Sequence, residues 1–260
     1  MRPPGGPLSG GPLCSHVLLV ELADRLLLVD SGFGRQDVRS FGARLPESYR
    51  RLVGAHRDGH RSAVEQVRAL GFDPADVRDI VLTHLDPDHA GGLSDFPWAR
   101  VHLLGEEHRL ATTARGPRAR SRYHPVQWAH GPRWVLHEPR GERWRGLRAV
   151  RQLGDLPPEV LVLPLPGHTR GHCAVALQCP ERGWLVHAGD AYLQREELLA
   201  RRRHLPPALR LATFLFAEDE GLRRRNVARL AELQRRHEDV TVFCAHDARE
   251  LSALQRGQRP

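Results

Sequence analysis

The chain contains no lysine; all 39 of its Lys+Arg positions are arginine. Its formal net charge of +8 therefore reflects a composition rich in Arg, Ala, Gly and Pro, which reads as a coding bias replacing Lys by Arg. Apart from short runs at Arg201–Arg203 and Arg223–Arg225 the arginines are scattered, whereas a nucleic-acid footprint concentrates its charge on one face. Nucleic acid is accordingly not the expected partner. An apolar run of membrane length is also missing, because the most apolar early stretch, His16–Val29, is broken by Glu21, Asp24 and Arg25. Met1–Pro12 is rich in Gly and Pro and has no apolar secretion segment. Together these absences lead to the expectation of a cytoplasmic protein with no membrane partner. Cys14, Cys173, Cys179 and Cys244 form no CxxC pair, so reduced and mostly buried thiols are expected.

With 260 residues, 40% apolar and 27% charged, the chain can bury a substantial core. The expected organisation is a flexible N-terminus over residues 1–15 and one α/β domain over 16–255. Loop-rich insertions are placed near 36–60 and 114–134. No internal repeat or low-complexity linker interrupts this plan. Val17–Glu21 and Arg25–Asp30 read as a hairpin whose second strand runs into the turn Asp30-Ser31-Gly32. Further strands are predicted at Ile80–Thr83, Arg100–Leu104, Val160–Leu165, Cys173–Gln178, Trp184–His187 and Val240–Cys244. Helices are predicted at Ser62–Leu70, where Val64, Val67 and Leu70 share a face, at Glu106–Thr113, and at Asn226–Arg236.

The segment Thr83-His84-Leu85-Asp86-Pro87-Asp88-His89-Ala90-Gly91-Gly92 offers four potential ligands within six positions at the exit of a strand. Imidazole and carboxylate together suit zinc, iron or manganese. Any one of the 16 histidines is more often incidental than functional, but four ligand types packed this way point to a metal. Three later segments repeat the placement: His168 after Pro164-Leu165-Pro166-Gly167, Asp190 after Val186-His187-Ala188-Gly189, and His246 after Val242-Phe243-Cys244-Ala245. Strand ends on one edge of a sandwich are where such dispersed ligands can meet.

In these motifs, and over Val17 to about Leu254, the chain resembles the metallo-β-lactamase superfamily of metallohydrolases, whose hallmark is His-x-His-x-Asp-His followed by a later His, Asp and His. The resemblance implies a four-layer αββα sandwich and two divalent metal ions, zinc first, with iron or manganese as alternatives. It assigns His84, Asp86 and His168 to one ion, Asp88, His89 and His246 to the other, and Asp190 as a bridge. Asp86 stands where the family usually has histidine. With three carboxylates and one hydroxide, two divalent ions are neutralised, whereas the histidine version keeps one positive charge; the bound water should be less acidic for it.

The implied activity is hydrolysis of a small ester, lactone or thioester by a metal-bridging hydroxide, with Asp88 orienting it or moving a proton. Gly167-His168-Thr169-Arg170-Gly171-His172 looks like the segments of lactonase and glyoxalase II-type relatives. The alternatives are a di-iron redox enzyme of the same fold, suggested by the carboxylate at Asp86, a phosphodiesterase or nuclease, and a binding module without activity. His172 is a candidate to hydrogen-bond a metal ligand or touch a small-molecule substrate, or else a loop histidine without a role, and Tyr192 is a candidate to touch substrate, or else a packed tyrosine. The aromatic residues Tyr123, Trp128 and Trp134, with His124 and His130, either wall a pocket or form the small core of an insertion. The sequence leaves the oligomeric state open.

Overall fold

The strands at the centre of this protein are dry on both faces. Leu26–Val29 and Val240–Phe243 are buried at every position, and Val160–Pro164 at every position but its last. A strand with one wet face alternates apolar with polar, so continuous apolar runs require cover on both sides. The structure, a computed structural model, describes residues 14–46, 49, 61–139, 142–149, 153–154, 156–199 and 205–260. The expected N-terminal segment 1–13 and the part of the first insertion at 47–48 and 50–60 lie outside the described residues.

Two main sheets supply that arrangement. In the first, β1 (Leu18–Glu21), β2 (Leu26–Val29), β3 (Val77–Val81), β4 (Arg100–Leu104) and β5 (Arg133–His137) lie in sequence order. β1 and β2 pair antiparallel as the expected hairpin, and the remaining pairs are parallel. After a small hairpin of β6 (Arg143–Trp144) and β7 (Leu147–Arg148) comes the second sheet. It contains β8 (Val160–Pro164), β9 (Cys173–Cys179), β10 (Gly183–His187) and β11 (Val240–Phe243), in the order β11-β10-β9-β8. There β10 and β11 are parallel and β9 runs against both its neighbours.

The period-2 alternation of each strand sorts its residues into layers. Leu27, Val29 and Val81 of the first sheet meet Val160, Val162, Val175 and Leu177 of the second in the central core. Leu26, Leu28, Ile80 and Val101 turn outward against Ala63, Val64 and Val67 of the helix Ala63–Ala69. On the far side Leu161, Ala174, Val186 and Val242 meet Val227, Leu230 and Leu233 of the helix Glu220–Arg236. The layers are helix, sheet, sheet, helix, the expected αββα sandwich. No helix among the described residues is long and apolar enough to cross a membrane.

The insertions contain more regular structure than expected. The first holds short helices at Arg35–Arg39 and Phe41–Arg44, and the second a helix at Pro117–Arg122 and a turn at Pro125–Gln127. Tyr123, Trp128 and Trp134 pack onto the outer core of the first sheet, the core alternative for those aromatic residues. Cys14 and Ser15 belong to the expected flexible terminus, yet both are tied down. Cys14 N–H donates to the His246 carbonyl at 3.3 Å, and the Ser15 hydroxyl donates to the Asp88 carbonyl at 2.6 Å.

Candidate metal centre

Because β2, β3, β8, β10 and β11 all point their C-terminal ends the same way, the loops after them share one edge of the sandwich. The start of β9 lies there too, and Cys173 N–H donates to the Thr83 carbonyl (3.0 Å), joining the two sheets at that edge. His84, Asp86, Asp88 and His89 follow β3, His168 follows β8, Asp190 follows β10 and His246 follows β11.

The side chains gather in two groups, His84–His168–Asp190 and Asp88–His89–His246, each with its ligand atoms within 4.8 Å of one another. Asp190 faces both. Its Oδ2 is 3.5 Å from His168 Nε2 and 3.9 Å from His84 Nε2, while its Oδ1 is 3.0 Å from His246 Nε2 and 3.2 Å from His89 Nε2. Asp88 Oδ2 adds contacts of 3.7 Å to His89 and 3.6 Å to His246. Ligands about 2.0–2.1 Å from one tetrahedral ion stand about 3.3 Å from each other, so these separations are close to those that two coordination shells sharing one carboxylate would need. His84 Nε2, His89 Nε2 and Asp190 Oδ1 are buried and make no hydrogen bond. A buried polar atom without a partner is costly, and three of them converging fit a cation that they would hold.

The opposite ring nitrogens are occupied, which leaves Nε2 as the free donor. His89 donates from Nδ1 to Asp30 Oδ2 at 2.8 Å, and His246 from Nδ1 to the Cys14 carbonyl at 2.7 Å. The Thr83 hydroxyl gives its proton to Asp30 (2.9 Å) and accepts from His84 Nδ1 at 3.0 Å. Asp30 is fully buried and holds a left-handed backbone, φ 59°, which Asp tolerates better than most residues. Burial would raise the Asp30 carboxyl, but the facing imidazoles of His89, His187 and His84 hold it below its usual range.

The field of the site favours cations. Burial alone would lower His89, yet Asp190, Asp30 and Asp88 lift it well above the ordinary imidazole value. His246 is raised against the same penalty to about 9 by Asp190 and Asp88. His168 behaves in the opposite way, pushed down to about 4 by burial and by the neighbouring Arg122.

That arginine alters the expected role of Asp86. Asp86 Oδ2 lies 3.0 Å from His168 Nε2 and 3.5 Å from His84 Nε2, beside the first group, but its carboxylate is engaged by Arg122. Arg122 Nη1 donates to Asp86 Oδ2 at 2.9 Å and Oδ1 at 3.1 Å, and lies 3.0 Å from His168 Nε2. Arg122 and Asp86 together are neutral, as a histidine would be, so the expected loss of site charge does not follow. Tyr49 also reaches in, its hydroxyl donating to Asp88 Oδ1 at 3.0 Å.

Of the alternatives for His172 and Tyr192, the structure places His172 in a hydrogen bond to a proposed ligand and Tyr192 in the packing, and neither against an open substrate position. His172 is fully buried, donates from Nδ1 to the Leu165 carbonyl (3.0 Å) and accepts from Asp190 N–H at Nε2 (2.9 Å). It thereby fixes the backbone of Asp190 and has no nitrogen left for a substrate. Tyr192 is fully buried, with its hydroxyl 3.2 Å from both carboxylate oxygens of Glu250, so the packed-tyrosine alternative describes it. Sequence reasoning did not single out Asp30, Tyr49, Glu107 or Arg122. Buried Glu107 accepts from Leu85 N–H (3.1 Å) and from the Thr169 hydroxyl (2.6 Å), joining the two loops that hold His84 and His168. Gly171 permits this, since a Cβ there would fall 2.3 Å from the Glu107 nitrogen. The Asp30-Ser31-Gly32 turn was a visible signal for Asp30; nothing local marks Arg122 among the other arginines.

Known proteins share this plan. A family model described as the metallo-beta-lactamase superfamily matches residues 10–246. A probable metallo-hydrolase of Mycobacterium tuberculosis is 44% identical over 239 residues, 92% of this chain and 76% of the relative. An N-acyl homoserine lactonase of Agrobacterium fabrum is 27% identical over 197 residues, 73% of this chain and 65% of the relative. Among solved structures, the dizinc quorum-quenching lactonase AidC, in complex with a homoserine product, superposes with a TM-score of 0.59 at 16% identity. That match covers 90% of this chain and 72% of the other.

Proposed function

Because the chain belongs to the metallo-β-lactamase superfamily and is a metal-dependent hydrolase, we propose that it opens a small ester, with lactones as the foremost substrate class, at two divalent ions. The observation that supports this most is Asp190, which turns one carboxylate oxygen toward each of the two ligand groups. The proposed ligands are His84, His168 and Asp190 for one ion, with Asp86 at its edge. Asp88, His89, His246 and the other oxygen of Asp190 hold the second. Imidazole and carboxylate at these separations suit zinc, and the dizinc lactonase with the same fold supports that choice.

When bound, such an ion pair supplies Lewis acidity toward a carbonyl oxygen and hydroxide at neutral pH. The protein's own part is positional. Asp190 spaces the two groups, and Asp30, Thr83 and the Cys14 carbonyl keep the imidazole Nε2 atoms aimed inward. Asp88 would hold the second ion through Oδ2, while its Oδ1, beside the Tyr49 hydroxyl, would take the proton released by the attacking water and pass it to the departing alkoxide. Burial and the Asp88 carboxylate keep the Tyr49 phenol protonated, so it remains a donor at that oxygen. The pairing of Asp86 with Arg122 weighs against the alternative of a di-iron redox centre, whose support was the carboxylate at that position. The lactonase relative favours a lactone over a phosphodiester.

The test is a panel of five- and six-membered lactones, aryl esters, thioesters and phosphodiesters, assayed with zinc, manganese and iron. Lactone turnover that disappears with chelator and with Asp190→Asn is the expected result. Turnover confined to phosphodiesters, or none on any acyl substrate with two ions bound per chain, would refute the proposal.

A further inference from the structure

Resting on the dinuclear reading above, we infer that the two metal positions are unequal: Arg122 is a built-in competitor at the His84–His168 position, so that position fills second and more weakly. The guanidinium is placed for this role. Its Nη1 lies 3.0 Å from His168 Nε2, the lone pair an ion must take, and 2.9 and 3.1 Å from the two oxygens of Asp86. The Arg122 side chain is 7% exposed and Asp86 14%, so water screens neither well.

Arg122 cannot simply withdraw. Its Nη2 donates to the Phe216 carbonyl, and Arg118 on the same short helix donates to the Ala217 carbonyl. An ion entering beside His84 and His168 therefore has to displace the guanidinium from His168 Nε2 and finds Asp86 already engaged. The Asp88–His89–His246 position has the opposite surroundings. There the contacts come from the Tyr49 hydroxyl, the Asp30 carboxylate behind His89 and the Cys14 carbonyl behind His246. All three keep ligand atoms aimed at the ion without adding positive charge.

The consequence is a chain that carries one ion firmly and takes its second according to the free metal concentration. The pair Asp86–Arg122 stands in for a neutral histidine in charge but not in coordination, because a carboxylate held by a guanidinium has less electron density to give an ion. The weaker position should show an affinity lower by about tenfold or more, equivalent to about 1.4 kcal/mol.

The full-length chain, equilibrated against buffers of fixed free zinc, is assayed for zinc per chain by mass spectrometry, with cobalt absorption as a second readout. The wild type should fill in two steps separated by about tenfold or more. In Arg122→Gln, Asp86 is released to coordinate and the two steps should merge. Arg122→Lys keeps the charge and should keep them apart. His246→Ala should remove the tight equivalent, and His168→Ala only the weak one. Two equivalents filling the wild type in a single step would overturn the inference while leaving the dinuclear proposal intact, a result that does not depend on any variant folding. No bound zinc at all would overturn both.

Discussion

Replacing Asp30 by Asn tests how far the centre depends on a residue that would touch no ion. The carboxylate accepts from Thr83 N–H at 2.8 Å, from the Thr83 hydroxyl at 2.9 Å and from His89 Nδ1 at 2.8 Å. Asn has the same shape and tolerates the left-handed backbone at φ 59°, so no backbone strain is introduced. It retains one oxygen for Thr83 but presents an NH₂ group to His89, which must give up a charge-assisted hydrogen bond or change tautomer. Losing such a bond costs about 1.5–3 kcal/mol, and losing the group that orients a ligating histidine typically lowers metal affinity about 10–100-fold. Zinc competition against a chelator should therefore show a tighter-site affinity reduced by at least about tenfold, with the protein still folded by circular dichroism. An affinity within about threefold of the wild type would refute the orienting role assigned to Asp30.

Two further substitutions probe the frame of the site. Gly171→Ala would place a Cβ 2.3 Å from the Glu107 nitrogen, so the loop bearing His168 must move; a loss of about 1–3 kcal/mol in urea unfolding is expected, together with weaker zinc binding. An unchanged unfolding midpoint would contradict the close approach. Glu250, raised to about 7 by burial and Asp247, stays protonated in the fold where the unfolded chain, near 4.5, has already released its proton. Its contribution is complete below pH 4.5 and is lost as the pH rises toward 7, a change of about 3 kcal/mol. The stability difference between wild type and Glu250→Gln should therefore shift against the wild type across that window, as read by thermal melts; a pH-independent difference would reject the assignment.

The core strands were legible because both of their faces are dry, which writes apolar runs into Leu26–Val29, Val160–Leu163 and, but for Thr241, Val240–Phe243; the αββα frame itself followed from the family resemblance of the ligand motifs. β5 escaped because its burial is mixed and Arg133 and Leu136 are exposed, and β6–β7 because two residues per strand leave no period to see. The helix Glu220–Arg236 begins six residues before the predicted Asn226. Its first turns read as a charged run, yet Arg223 is buried, paired with Glu197 at 2.7 Å and Glu220 at 2.6 Å. The same difficulty hid Arg122, since a buried arginine and a solvated one look alike until the carboxylate partner is placed. The helix Pro207–Phe216 turns Leu211, Phe214 and Leu215 to solvent, so apolar residues fall outside the face that packs. His84, His89, His168, Asp190 and His246 were legible for a simpler reason: each follows a strand, and those strands end at one edge.

A crystal grown with zinc in excess, with anomalous differences collected across the zinc edge, addresses the centre directly. Two peaks about 3.5–4 Å apart are expected, one beside His84 and His168, the other beside Asp88, His89 and His246, with Asp190 between them. A single peak, or ions bound away from Asp190, would contradict a dinuclear centre built on that carboxylate.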